Sequence, residues 1–411
     1  MKVLLSSMNA QVPNPHHCYP LSLGFLGTVI EEEGHEVEML SFFNMKADEA
    51  EKSLVEVLER FNPDVVGFNC ITQNRCGTYK GIEMVKNYNK DTVVVLGGVH
   101  ATIMCDQLLD NFPIDYIIRG EGEIAIVELL ETLDNKEKIR VGSRLVDMDS
   151  LPIADHSYAR EWIEENGTAH LITSRGCPGN CIFCSSRAFW GGRVRFRSAK
   201  LVVDEIEYLM EEFGISDFLF HDDTFNFTIG RATSLSQEIL DRNLNITWQC
   251  NARVHPVSKD MLLLMKQAGC TEMRFGVETG SDSIMQTLGK RITKEQIQKC
   301  FELCYEVGID TFAFMMVGLP GETEETIQET VEFMETLTMA ELPAVGLTYL
   351  YPGTVLYEIC KKEGIIADDY WLEGCNDFVL TSSGSVEQLT EWAGRISVAP
   401  QIRSRDEEDK D

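Results

Sequence analysis

Three cysteines, Cys177, Cys181 and Cys184, stand within eight residues in Ser174-Arg-Gly-Cys-Pro-Gly-Asn-Cys-Ile-Phe-Cys-Ser185. Their spacing is C-x3-C-x2-C. A four-iron cluster normally takes four thiolates, so three leave one iron with an open position. An open position is what a catalytic cluster needs. A zinc site and buried structural thiols are the alternatives. Zinc spacings usually come as two C-x2-C-like pairs, and no second C-x2-C pair follows here.

Other residues able to do chemistry each follow a short apolar run: His221-Asp222-Asp223-Thr224-Phe225, Arg253, Glu278 and Gly318-Leu-Pro-Gly-Glu322. Asp222 and Asp223 are adjacent, so at a strand end only one faces inward. Asp223 is the preferred one. A buried carboxylate without a partner is costly, so a bound cation would suit it. The Arg253 guanidinium suits a carboxylate, and Glu278 suits hydroxyls or an ammonium. Structural ion pairing is the alternative for both. For Gly318–Glu322 the alternative is a helix-entry turn with Glu322 in the first helical turn. No residue is singled out as a catalytic acid, base or nucleophile.

The elements that must position these groups alternate strand and helix, the mark of parallel α/β architecture. In the first ~130 residues, strands are expected at 3–5, 37–41, 65–69, 93–96 and 116–119. Helices are expected at about 22–33 and 47–60. This reads as a doubly wound, Rossmann-like domain over 1–135. Ligands bind beyond the carboxyl ends of such strands. Here those ends run into Gln73-Asn-Arg75-Cys, Gly97-Gly98-Val99-His100 and Gly120-Glu121-Gly122-Glu. A polar linker over 136–169 follows. Six further strands, at 171–173, 218–220, 246–248, 273–275, 311–316 and 345–349, make a partial (β/α)6 barrel over 170–360. Residues 361–411 form a short cap, with Tyr370, Trp371 and Trp392 over the barrel mouth, and a charged tail. Plain packing is the alternative for those aromatic residues.

The chain has 411 residues, of which 66 are Asp or Glu and 36 Lys or Arg, for a formal net charge of −30. That balance disfavours a nucleic-acid partner, whose phosphates are met by Lys and Arg. No apolar run is long enough for a membrane span, and the start reads as a strand and not as a signal peptide. Thirteen scattered cysteines fit a reducing, cytoplasmic setting.

The cysteine loop and the strand-end residues resemble the radical S-adenosylmethionine (SAM) superfamily over residues 171 to about 360. The first ~130 residues resemble the cobalamin-binding domain found in front of many of its members. That second likeness rests on Pro20-Leu-Ser-Leu23-Gly24-Phe-Leu, Glu32-Glu-Gly-His-Glu-Val37, Gly97-Gly-Val-His-Ala101 and Gly120-Glu-Gly-Glu123. The resemblance implies one 4Fe-4S cluster on Cys177, Cys181 and Cys184. It implies SAM held by Phe183, Asp223, Arg253, Glu278, Gly318 and Glu322. It implies cobalamin near Leu23, Gly24, Gln73, Arg75, Gly97, Gly98, Val99, His100, Gly120, Glu121 and Gly122. Glycines allow the close backbone approach a corrin needs. No Asp-x-His occurs in the chain, so the expected cobalamin is base-off, without a protein imidazole on cobalt. The loop 73–76 is the candidate for the lower cobalt face, and an ordinary surface loop is the alternative.

The activity implied is methylation of an unactivated carbon in a peptide, protein or small molecule, through a 5′-deoxyadenosyl radical and methylcobalamin. The electron donor implied is a ferredoxin or flavodoxin. One alternative is a non-methylating member, such as an anaerobic porphyrin-ester cyclase or a ring-rearranging enzyme. Another is a methylthiotransferase with a second cluster on Cys18, Cys70 and Cys105. A non-enzymatic cobalamin carrier is the last.

Overall fold

The structure, a computed structural model, describes residues 1–9, 19–42, 45–133 and 137–402. The chain divides into two compact units. The first is Met1–Asn166 with Tyr351–Gly353 and Tyr357–Asp377, and the second is Gly167–Leu350 with Thr354–Leu356 and Phe378–Asp411.

The first unit is built on one parallel sheet: β1 (Lys2–Ser7), β2 (Glu36–Ser41), β3 (Val65–Asn69), β4 (Val93–Gly97), β5 (Tyr116–Arg119) and β6 (Ile139–Val141). Their spatial order is β2-β1-β3-β4-β5-β6. Strand order reverses between β1 and β3, the kind of switch point where ligand crevices open. Val3, Val65 and Val95 in the strands, with Leu23, Ile30 and Leu129 from helices, form the core beneath the sheet. The helix Ala47–Phe61 shows the logic of the covering elements. Ala50, Leu54, Val57, Leu58 and Phe61 are its buried residues, a single stripe at helical spacing. Asn62 ends it in the left-handed conformation at φ 47°.

The expected linker is part of this unit. β6 pairs with β5, and Leu145, Met148, Leu151 and Ala154 cluster on Phe25. A three-residue edge strand is held by backbone hydrogen bonds and shows no alternation to read. The spacing of three between those four apolar residues was the available signal. The stretch expected to cap the barrel also divides. Trp371 lies in the first unit, whereas Trp392 lies in the second and donates from Nε1 to Glu324 at 2.9 Å. The tail beyond residue 402 lies outside the described residues.

The second unit is a curled half-barrel of six parallel strands: β7 (Thr168–Leu171), β8 (Asp217–Phe220), β9 (Thr247–Ala252), β10 (Cys270–Glu278), β11 (Asp310–Val317) and β12 (Ala344–Leu347). Each strand pairs with the next, so spatial order follows chain order. β7 ends where the expected strand at 171–173 begins, because Gly167, at φ +67°, turns the chain into the strand early. One face of the sheet carries Ala169, Phe218, Phe220, Trp248, Cys250, Met273 and Phe275, all fully buried. On the alternate positions Gln249, Asn251, Arg274 and Phe314 are only half-buried. Helices are fixed at their ends: Ser198 and Thr293 cap Ala199–Phe213 and Lys294–Val307, and Gly214 and Gly308 close them in the left-handed conformation.

Candidate functional site

In the second unit the cysteine loop leaves β7 and is anchored by Asp222 from the end of β8. Asp222 is 2% exposed. It accepts from the Thr173 backbone N–H and hydroxyl at 2.6 Å each, and from the Ser174 backbone N–H and hydroxyl at 3.1 and 2.7 Å. Its neighbour Asp223 is exposed, accepts from Ser186 Oγ at 2.9 Å and is also hydrogen-bonded by the Gly176 backbone. Desolvation first, and then the Asp222 charge, raises the Asp223 carboxyl above its ordinary value. One of the two aspartates builds the loop; the other is exposed beside it.

The loop wraps closely around its own sulfurs. Cys177 Sγ accepts from Gly179 N–H at 3.4 Å and from Thr224 Oγ1 at 3.3 Å, and Arg253 Nη1 approaches it at 3.8 Å. A Cβ on Gly179 would lie 3.3 Å from Cys177 Sγ, 3.8 Å from Cys181 Sγ and 3.1 Å from Arg253 Nη1. Only glycine leaves that cradle empty. Donors aimed at a sulfur favour its thiolate form and tune a cluster. Among the described residues no three thiol, imidazole or carboxylate groups converge on one ion position. The residues fit the cluster.

Glu278, at the end of β10, forms a salt bridge with Lys290 at 2.6 Å, both side chains 11% exposed. Its φ is +71°, and the strand register shifts between Gly276 and Glu278. A Cβ on Gly276 would sit 2.4 Å from Glu278 Oε1 and 2.8 Å from Lys290 Nζ. Glycine therefore makes room for the pair, and the strained backbone aims the carboxylate. Lys290 escaped sequence reasoning, since it belongs to no periodic pattern. Ser186 escaped for the same reason.

Glu322 turns back on its own loop, accepting from the backbone N–H groups of Gly318 at 2.6 Å and Leu319 at 2.9 Å through Oε2. Burial pushes its carboxyl up to about 7 against the pull of those amides. Gly318, at φ +86°, has no room for a Cβ, which would meet Leu380 O and a Leu389 methyl at 3.0 Å. Phe183 packs with Ile182 and Met316 against Ile284, Leu288 and Leu319.

In the first unit the glycine-rich strand ends gather on one edge of the sheet. Gly97, at the end of β4, has nothing within 4 Å of a would-be Cβ. Gly98, at φ +96°, would place a Cβ 2.5 Å from Asn69 Oδ1, and Val99 starts a short helix. Gly120, at φ +99°, donates from its N–H to Thr102 Oγ1 at 3.0 Å. Glu121 is buried, and Gly122 is 3.1 Å from Leu26 at the position of a Cβ. Such bare backbone fits a flat, tail-bearing cofactor.

Other residues of the expected cobalamin set have tasks inside the protein. Leu23 belongs to the core under the sheet. A Cβ on Gly24 would fall 2.3 Å from Asp155 O, so this glycine serves helix packing. Arg75 is fully buried. It donates to Thr72 O at 2.7 Å, to Gly374 O and to Asn376 O at 3.1 Å, lies 3.7 Å from Asp377 Oδ1 and stacks on Trp371. It clasps the 370–377 segment to the loop. Gln73 donates to Tyr351 Oη at 3.2 Å. His100 has both ring nitrogens engaged, by Thr72 Oγ1 and Tyr79 Oη, each at 3.1 Å. Burial, helped by the Arg75 charge, lowers it to about 3. Cys70 and Cys105 are buried thiols, and burial pushes Cys70 up to about 12. Cys18 lies outside the described residues.

A model of the Radical SAM superfamily matches residues 171–334, and one of the B12 binding domain matches residues 8–130. With the fold and the cysteine loop, these give the chain the B12-binding and radical SAM domain order of cobalamin-dependent radical SAM enzymes, and methyltransferases are among its relatives. The chain is 29% identical to an uncharacterized methyltransferase of Pyrococcus horikoshii, over 86% of this chain and 80% of that one. It is 25% identical to the cytidylyl-2-hydroxyethylphosphonate methyltransferase of Streptomyces wedmorensis, over 89% and 85%. In structure it is similar to TsrM of Kitasatospora setae, a radical SAM methyltransferase solved with tryptophan and a SAM analogue, at TM-score 0.76 and 25% identity, covering 88% and 76%. Among the described residues no helix is long and apolar enough to cross a membrane.

Proposed function

We propose that the protein places a methyl group on an unactivated carbon of a small organic substrate. The observation that carries this reading is the half-barrel's two-faced sheet. One face is sealed, while the other presents Gln249, Asn251 and Arg274 half-buried. Arg274 is held from both sides, by Glu272 Oε1 and Gln249 Oε1 at 2.5 Å each, a fixed polar floor for a ligand. The relatives named for hydroxyethylphosphonate and tryptophan favour a small molecule over a protein side chain.

When bound, the cluster, SAM and cobalamin supply the radical and methyl-transfer chemistry. The chain binds and orients. Cys177, Cys181 and Cys184 hold the cluster, with Gly179 and Thr224 donating to the Cys177 sulfur. Asp223 receives the SAM ammonium, and Arg253 its carboxylate. Glu278, steadied by Lys290, takes ribose hydroxyls. Phe183 and the Gly318 loop, braced by Glu322, face the adenine. Gly97, Gly98, Val99, Gly120 and Gly122 would give the corrin a bare backbone seat, and Gln73 would be a further contact from the loop 73–76. His100 has no free nitrogen to offer, which supports base-off cobalamin without an imidazole ligand.

The test needs no substrate. Chain reconstituted with iron, sulfide and reduced cobalamin is incubated with SAM, and S-adenosylhomocysteine is measured. We expect about one equivalent per bound cobalamin, with about four irons per chain. No S-adenosylhomocysteine would favour a non-methylating enzyme. About eight irons would favour a methylthiotransferase.

A further inference from the structure

Arg75 and Cys76 stand side by side in the chain, and both reach the same stretch 299 to 301 residues later. Arg75 donates to the carbonyls of Gly374 and Asn376, one on each side of Cys375. The Cys76 thiol donates to the Gly374 carbonyl at 3.6 Å, the oxygen of the peptide group that leads into Cys375. The Cys375 thiol completes the contact, hydrogen-bonded with that of Cys76. All these residues belong to the first unit. A disulfide cannot form across Cα atoms more than about 7 Å apart without backbone movement. Here the backbone on both sides of Cys375 is already pinned beside Cys76.

Exposure separates this pair from other touching thiols. Cys250 meets Cys270 and Cys300 meets Cys304, but all four are buried. Cys375 is exposed and Cys76 half-buried, so a reagent in solution reaches Cys375 first. Desolvation, and after it the hydrogen bond with Cys375, raises the Cys76 thiol, while the Arg75 guanidinium acts the other way. Capping Cys375 removes the second effect and leaves Arg75 in place. The Cys76 thiolate then forms more readily once its partner has reacted.

We infer that Cys76 and Cys375 form a reversible disulfide, made by exchange with a low-molecular-weight disulfide, that fastens the 370–377 segment to the loop 73–76. The Cys375 thiolate attacks the small disulfide, a mixed disulfide forms and one small thiol leaves. The Cys76 thiolate then attacks the Cys375 sulfur, the protein S–S bond forms and the second small thiol leaves. Two protein thiols lose two electrons, the small disulfide gains them, and both protons end on the small thiols. A bond made only on oxidation suits the sensing role disulfides have where thiols are normally reduced.

Trp371, in the same segment, stacks on Arg75 at 4.9 Å and meets the His100 ring edge-on at 6.1 Å. The fastened segment therefore steadies both the loop 73–76 and the turn after Gly97 and Gly98. The consequence rests on the reading of those strand ends as the cobalamin seat: oxidation slows cobalamin release, because local opening of the seat precedes departure.

The test uses the full reconstituted chain carrying cobalamin, under nitrogen, with glutathione disulfide as the probe. Linked peptides are read by mass spectrometry and cobalamin release by absorbance of the filtrate. Wild type should form the Cys76–Cys375 link, with two glutathione thiols released for each link, and dithiothreitol should undo it. Release should slow about fivefold or more after oxidation, as when a local opening is blocked. Cys76→Ser should stop at glutathione on Cys375. Cys375→Ser should release cobalamin at one rate with or without the probe. A wild type that stops at glutathione on Cys375, a link from Cys76 to the nearby Cys70 instead, or equal release before and after oxidation overturns the clasp. Failure of the reduced wild type to retain cobalamin strikes the reading of the seat instead, and the clasp is then decided by the peptide link alone.

Discussion

The Asp222 carboxylate holds Thr173 twice, through the backbone N–H and the hydroxyl, at 2.6 Å each. It thereby ties the end of β8 to the start of the cysteine loop. Asp223, one residue on, meets the loop more lightly, at the Gly176 backbone and the Ser186 hydroxyl, and stays exposed. Asp222→Asn should lower unfolding free energy by about 2–3 kcal/mol, since hydrogen bonds to a buried charge are the strong ones. Asp223→Asn should leave stability nearly unchanged and weaken SAM binding about tenfold. Urea unfolding and equilibrium dialysis check the pair. Equal loss of stability in both variants would contradict the division of labour.

Replacing Cys177, Cys181 and Cys184 together by alanine should abolish iron and sulfide content while far-ultraviolet circular dichroism stays native. Cys177 and Cys181 are half-buried and Cys184 is exposed, so little packing is lost. The double Cys70→Ala, Cys105→Ala variant should keep its iron and lose stability instead, about 1–2 kcal/mol for the buried sulfurs. Iron lost from the second variant alone would reassign the cluster.

His100 gives the first unit a pH dependence. Its folded value, about 3, lies below the unfolded value of about 6.5. A depressed value means that its contribution is fully present above about pH 6.5 and drains away as pH falls toward 3. The slope is at most about 1.4 kcal/mol per pH unit. The groups around the ring are Thr72, Tyr79, Arg75 and Trp371, none of them a carboxylate or a second imidazole. His100→Gln should remove the excess slope between pH 6.5 and 4.5, measured as the difference from wild type by urea unfolding. Parallel pH profiles would show that the buried imidazole is not the source.

Much of the architecture was legible because it rests on local pattern. Parallel strands read as apolar runs, as at Val93–Gly97 and Asp310–Val317. Their carboxyl ends point to the ligand edge by the topology of α/β sheets. β6 was missed because a three-residue edge strand is held by its backbone. The Tyr357–Asp377 stretch was misplaced because its home depends on Arg75, some three hundred residues earlier in the chain.

The sequence by itself determined the chemistry: three thiolates at C-x3-C-x2-C, glycines at strand ends and no Asp-x-His. These are matters of residue type and short spacing, and they survive any fold that keeps the loop intact. Tertiary structure decided which of two like residues does which job. Asp222 was committed to Thr173 and Ser174 and Asp223 left open. Glu278 was given Lys290 as its partner, and Glu322 was turned onto its own loop. Arg75 and His100 were withdrawn into hydrogen-bonded clasps. Those outcomes depend on which polar groups meet in space, because a buried charge or donor must be satisfied by whatever the fold brings within about 3 Å, and no local spacing announces that partner.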